Sequence, residues 1–215
     1  MDMHRLRRIV TAWWGVNHDG LQHPDSEYMP SMWEQTETFP SDQPEHLSLD
    51  VLWLKPSEIR RVLRFVAESW HIASTDYTEL AEIQWEVWNA SQGLQPQPDI
   101  AIAWMKSERP TYPAFPLGVL SGRPNFAAKY YYISNLALHP RLQAGSANRA
   151  TLWRNAAGRR VAETLIHAAI DISHELGNYG WVAATPAPGD ERGWNALKFY
   201  SHDAFTYRRM GYFTS

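Results

Sequence analysis

Three apolar segments follow one another between Asp99 and Leu138, joined by short connections that carry turn residues, and this run constrains the fold more than any other feature. The segments are Asp99–Met105, Leu117–Leu120 and Tyr130–Leu138. The Pro-bearing turn 108–113 and the break Gly122-Arg123-Pro124 separate them. Strands so closely connected pair as an antiparallel meander. A polar stretch, 140–157, then leads into the strongest helical pattern of the chain, 158–176. Val161, Leu165, Ala168, Ala169, Ile172 and Leu176 share one face there, and Gly177 stops the helix. Trp181–Ala184 is a further strand, so the helix is a crossover that adds a strand beside the meander. Residues 194–200 read as a short helix and 205–213 as a closing strand.

Upstream, Leu49, Val51 and Trp53 alternate as a short strand. Pro56-Ser57 opens a helix striped by Ile59, Val62, Leu63, Val66 and Trp70. Thr75-Asp76, with Glu79, resembles a capping box for a second helix through Leu80, Ile83 and Val87 that ends within 89–93. The predicted fold class is therefore α/β: a mixed, mostly antiparallel sheet with helices on both faces. Residues 1–46 show aromatics without a period and read as an irregular N-terminal arm packed on a domain that spans 47–215.

Composition narrows the function classes. At 215 residues, 44% hydrophobic and 20% charged, the chain has enough apolar surface for a sizeable core. No run approaches about eighteen apolar residues, which argues against a membrane span. The absence of cysteine excludes disulfides, thiolate metal sites and Cys nucleophiles. With no secretory pattern at the N-terminus, a cytoplasmic location is the expectation. The nine histidines give no metal-ligand spacing, and His139 reads as a surface residue. No Gly-x-Ser-x-Gly elbow occurs. Trp53, Trp70, Trp104 and Trp181 fall at core positions, whereas Trp13, Trp14 and Trp33 of the arm could anchor it, bury a homodimer contact or line an acceptor pocket.

The net charge of −3 hides a segregation. Residues 1–108 carry −9, residues 109–162 carry +8 with no Asp or Glu, and the remainder carries −2. The acid-free stretch ends at Gly158-Arg159-Arg160-Val161-Ala162, where the long helix begins. Helix N-termini offer unpaired N–H groups and a positive dipole end, which suits a phosphate. A glycine admits close approach, and two arginines add charged donors.

Three segments then resemble the Gcn5-related N-acetyltransferase (GNAT) superfamily in the order that family shows. Tyr131-Tyr-Ile-Ser-Asn-Leu-Ala-Leu-His-Pro140 is similar to its fourth strand, 158–177 to its coenzyme A loop and helix, and Ala196-Leu-Lys-Phe-Tyr-Ser-His-Asp-Ala-Phe205 to its last motif. The loop pattern departs from the family's, with Arg160 where a glycine is expected and an insertion, 144–157, ahead of it that supplies Arg149 and Arg154.

The resemblance implies a central strand pair that splays into a V-shaped cleft. Backbone groups of Leu136, Ala137 and Leu138 would pair with the pantetheine of acetyl-coenzyme A or another acyl-coenzyme A. Gly158, Arg159, Arg160, Val161 and Ala162 would hold its pyrophosphate. Tyr200 would protonate the departing thiolate, and Asn195 stands two residues after the family asparagine's position, which Gly193 fills. The implied activity is N-acyl transfer to an amine, on a small molecule or a protein, without a metal.

Transfer to an amine also needs a proton acceptor. Ser134 and Asn135 are not bases at neutral pH, and Glu82 and Glu86 read as solvated. The alternative is a GNAT-fold binding or assembly module that has lost catalysis and acts through protein contacts. Nucleic-acid binding through the +8 stretch is disfavoured because the basic residues gather about one loop of an acidic chain.

Overall fold

The computed structural model describes residues 48–70, 78–105, 115–143, 153, 155–186, 191–201 and 207–209. The arm 1–46, the capping box at Thr75-Asp76, the turn 108–113 and most of the insertion, including Arg149 and Arg154, lie outside the described residues.

The elements run β1 (Leu49–Trp53), α1 (Ile59–Ser69), α2 (Thr78–Ser91), β2 (Asp99–Met105), β3 (Phe115–Asn125), β4 (Tyr130–Leu138), α3 (Ala156–Glu175), β5 (Val182–Ala184), α4 (Glu191–Ala196), β6 (Tyr200–Ser201) and β7 (Tyr207–Arg209). They build one seven-stranded sheet in the order β1-β2-β3-β4-β5-β7-β6. All neighbours are antiparallel except β4 and β5, which the α3 crossover makes parallel. The mixed, mostly antiparallel sheet expected from the meander is the observed one.

Two interior contacts fix the helices to opposite faces. A Cβ at Gly118 of β3 would lie 2.7 Å from Val161 and 2.9 Å from Leu165, so α3 rests directly on that strand. Three residues later, Ser121 points to the other face and bonds Glu86 of α2. Burying each of Val161, Leu165 and Ile166 contributes about 1.5–3 kcal/mol. On the α1 side, the Trp70 indole N–H donates to the Pro116 carbonyl at 2.7 Å, tying the end of α1 to the start of β3.

Four expectations need correction. β3 does not break at Gly122-Arg123-Pro124 but continues to Asn125, because a bulge opposite β4 absorbs the irregularity and Gly122 makes room for Tyr131. The long helix starts at Ala156, two residues before the glycine, and its buried face is rotated from the expected one: Ile170 and Ser173 are buried while Leu176 is exposed. Tyr200 lies in edge strand β6, not in a helix, since α4 stops at Ala196 and Lys198 takes a left-handed turn, φ 67°. Trp70 and Trp104 are buried, but Trp181 is 36% exposed just before β5.

Candidate functional site

The parallel pairing of β4 with β5 lasts three residues, Tyr131↔Val182, Tyr132↔Ala183 and Ile133↔Ala184. A bulge falls at that point: Ser121 of β3 faces Asn135, Gly122 faces Ile133, and Ser134 is the extra residue. Bulges bend a strand and raise its twist. From Asn135 onward β4 therefore keeps β3 on one side and, among the described residues, has no paired strand on the other.

Which peptide groups face that open edge follows from the register. The His139 N–H donates to the Leu117 carbonyl at 2.8 Å, so His139 and Leu117 form a hydrogen-bonded pair. Antiparallel pairs alternate, and the register is regular from Gly118↔Leu138 to Ser121↔Asn135. Ala137 is then bonded to Val119, while the peptide groups of Leu136 and Leu138 point away from β3. Of the three strand residues that the GNAT resemblance assigns to pantetheine, two present backbone donors and acceptors at the edge. Ala137 spends its own inside the sheet.

The start of α3 differs from the expected phosphate loop. Asn155 is the N-cap, and its side chain accepts from the Gly158 N–H at 2.9 Å. The Arg159 N–H donates to the Asn155 carbonyl at 3.1 Å, and Arg160, Val161 and Ala162 lie deeper in the helix, where N–H groups bond four residues back. The N–H groups of 158–162 are thus already used, and the unpaired end of the helix lies at Asn155, Ala156 and Ala157. Gly158 serves packing: a Cβ there would stand 2.5 Å from the Leu142 carbonyl and 3.0 Å from the Trp153 Cβ. Trp153 pairs back with Gln143 beside the start of the helix. Arg159 reaches Glu163 at 3.0 Å and lies 5.9 Å from the Trp153 ring centre. Val161 and Ala162 are fully buried, whereas the arginines are exposed.

On the α2 face a polar network borders the same edge. Glu86 is buried, accepts from Ser121 Oγ at 2.7 Å and forms an ion pair with the Arg123 guanidinium. Asn135, in the amide orientation that satisfies both its ends, donates to Glu82 Oε2 at 2.9 Å and to the Ser134 carbonyl at 3.2 Å. Burial, and then repulsion from Glu79, raises the Glu82 carboxyl above its ordinary range. The solvated reading of Glu86 is therefore corrected: it is a structural ion-pair partner, and Glu82, though on the helix surface, is held against β4. Sequence carried a faint signal for both, a four-residue spacing that puts them on one flank of α2.

His139, expected at the surface, is buried between Trp70, 5.7 Å away between ring centres, and Phe115, at 5.3 Å. Its Nδ1 accepts from the Arg141 N–H at 3.2 Å. Tyr200 is 67% exposed in β6, and β5 and β7 lie between that strand and β4. At about 4.8 Å per strand, Tyr200 stands on the order of 10 Å beyond β5, outside the gap. Asn195 is exposed near the end of α4, its carbonyl accepting from the Lys198 N–H at 2.9 Å. Among the described residues no three His, Asp or Glu side chains gather to hold a metal ion, and no helix is long and apolar enough to cross a membrane.

No protein-family model matches the chain, and no curated protein does. Solved structures similar to it include a spermidine N-acetyltransferase chimera from Vibrio cholerae and a human homologue segment, at 12% identity and a TM-score of 0.40, covering 74% of this chain and 92% of that one. An aminoglycoside acetyltransferase, solved with coenzyme A and kanamycin, shares 12% identity at a TM-score of 0.43 and covers 76% and 95%. A dodecameric spermidine N-acetyltransferase from Vibrio cholerae shares 14% at 0.40, with 74% and 91% covered. At such scores neither the substrates nor the assembly of those proteins transfers to this chain. The sheet itself agrees with the fold that the GNAT resemblance implies: a meander, an α crossover, and a parallel pair that parts after three residues.

Proposed function

We propose that the chain is an acyl-coenzyme A-dependent N-acyltransferase that passes an acetyl group directly from the thioester to an amine. The observation that carries this reading is the open edge of β4 beyond Ile133, where Leu136 and Leu138 present peptide groups that a pantetheine arm can pair with as an added strand. The start of α3, with the N–H groups of Ala156 and Ala157 and the Arg159 and Arg160 side chains, lies beyond the same strand and suits the pyrophosphate.

Chemistry in this gap depends chiefly on positioning. Holding thioester and amine together replaces a bimolecular encounter with a local one. A backbone N–H at the edge of β4 polarises the thioester carbonyl as negative charge develops on its oxygen. The amine nitrogen bonds to the carbonyl carbon, the C–S bond breaks, and the sulfur leaves as thiolate to be protonated. Tyr200 is not assigned that proton transfer, because its strand lies outside the gap. The acceptor is an amine, and the acidic α2 flank beside the gap favours a cationic one.

Calorimetric titration with acetyl-coenzyme A tests the reading, alongside an Arg159→Ala/Arg160→Ala variant. Micromolar binding weakened about tenfold by the variant, or about 1.4 kcal/mol, is the expected result. Absence of binding at millimolar ligand would sink the acyltransferase reading and turn attention to a module that acts through protein contacts.

A further inference from the structure

An amine acceptor arrives as an ammonium ion, and its nitrogen cannot attack until one proton has gone. Among the described residues, five polar side chains form the network beside the open edge of β4 on the α2 face: Asn135, Ser121, Arg123, Glu82 and Glu86. Ser121 and Asn135 are neutral, and Arg123 is always protonated. Glu86 is buried and committed to Arg123 and Ser121, so protonating it would break that ion pair and leave a half-buried guanidinium without its partner. Glu82 differs in each respect. Its residue is exposed, and one carboxylate oxygen is pinned by the Asn135 amide at 2.9 Å. Asn135 is the first residue past the bulge, where β5 has already left β4.

We propose that Glu82 is the proton acceptor for the incoming ammonium, with Asn135 as the positioning residue that holds its carboxylate at the mouth of the splay. The inference rests on the acyltransferase reading above. One proton passes from the ammonium to Glu82, and the neutral nitrogen then bonds to the thioester carbon as the C–S bond breaks. The second proton, left on the nitrogen, reaches the departing thiolate, and Glu82 returns its proton to solvent. The charged groups around the carboxylate fit the role. Glu79 and Glu86 share its helix, and Arg123 of β3 is paired with Glu86. Burial, and then repulsion from Glu79, raises the Glu82 carboxyl above its ordinary range, in support of a role fixed by geometry.

The test uses two nucleophiles that need different things. Ethylamine is almost wholly protonated at neutral pH and requires a base; hydroxylamine is mostly neutral and does not. Release of coenzyme A from acetyl-coenzyme A is followed with each, in the full chain and in Glu82→Gln. The expected result is a fall in kcat/KM of about 10²–10⁴-fold for ethylamine with loss of its acidic limb. Transfer to hydroxylamine and affinity for acetyl-coenzyme A stay near wild type. Glu79→Gln, which removes a repelling charge, moves the acidic limb of ethylamine transfer to lower pH. An equal fall for both nucleophiles would make Glu82 merely structural, and no fall for either would remove it from the reaction. A wild-type protein that serves hydroxylamine alone would also overturn the assignment. One that serves neither nucleophile overturns the acyltransferase reading and this inference with it, and that outcome is told apart by the inert wild type.

Discussion

Single side chains in this molecule separate charges that hold the fold from charges left available. Glu86 has the Ser121 hydroxyl and the Arg123 guanidinium of β3 to satisfy it, whereas Asp99, at the start of β2, has the Tyr131 hydroxyl at 3.3 Å and a partly buried carboxyl. Burial raises the Asp99 carboxyl above its ordinary range, and the Tyr131 bond only partly offsets this. Tyr131, buried beside both carboxylates, is raised further and stays neutral. The sign of the consequence follows. A folded-state carboxyl raised above its unfolded value binds its proton more tightly in the native state. Its contribution to stability is fully present below about pH 4 and is lost as pH rises through the folded value. Asp99→Asn keeps an oxygen for Tyr131 but removes the titration. Urea denaturation should show the variant gaining on wild type between pH 3 and pH 7, on the order of the carboxyl's own range. A difference that does not change with pH would mean that Asp99 is solvated in the native state.

At the scale of elements, α3 shows what the sequence made legible and what it hid. The helix itself was plain from its apolar period, but its start was placed on Gly158, because a glycine before two arginines looks like an anion loop. The structure starts it at Ala156, behind the N-cap Asn155, whose amide accepts from the Gly158 N–H while the Leu142 carbonyl covers the glycine from outside. An Asn three residues before a Gly is an ordinary capping signal, outweighed here by charge pattern. Asn155→Ala should cost about 1 kcal/mol of stability by removing that bond. It should do so with little change in far-UV dichroism, read by denaturation; an unchanged midpoint would mean water caps the helix equally well. The ends of β4, Tyr130 and Leu138, were legible because turn residues and a polar stretch bound an apolar run. The bulge at Ser134 was not, since nothing in Ile-Ser-Asn distinguishes an extra residue from a regular one; only pairing with β3 reveals it. The Glu86–Arg123 pair was hidden for the same reason, its members standing 37 residues apart.

Across the whole molecule, the sheet is two unequal halves joined by a short seam. β1 to β4 form a continuous antiparallel body, and β5 to β7 meet it through three residue pairs, the Tyr131 N–H bond to Trp181 and the Tyr132–Thr185 hydroxyl contact at 3.1 Å. A ligand that binds along β4 past the seam supplies the pairing that β5 withholds. Coenzyme A should therefore stabilise the fold by about 2.7 kcal/mol at a hundredfold excess over its Kd. It should also leave a specific pattern in amide hydrogen exchange. Ala137 is already bonded to Val119, so its exchange in the free protein is slow and follows global unfolding. Leu136 and Leu138 face the open edge, exchange faster when free, and slow on addition of the ligand. Equal protection of all three residues would mean that coenzyme A stabilises only globally and docks elsewhere. Alternating protection would place it on β4 as an added strand, with Glu82 and Asn135 at the mouth of the gap it enters.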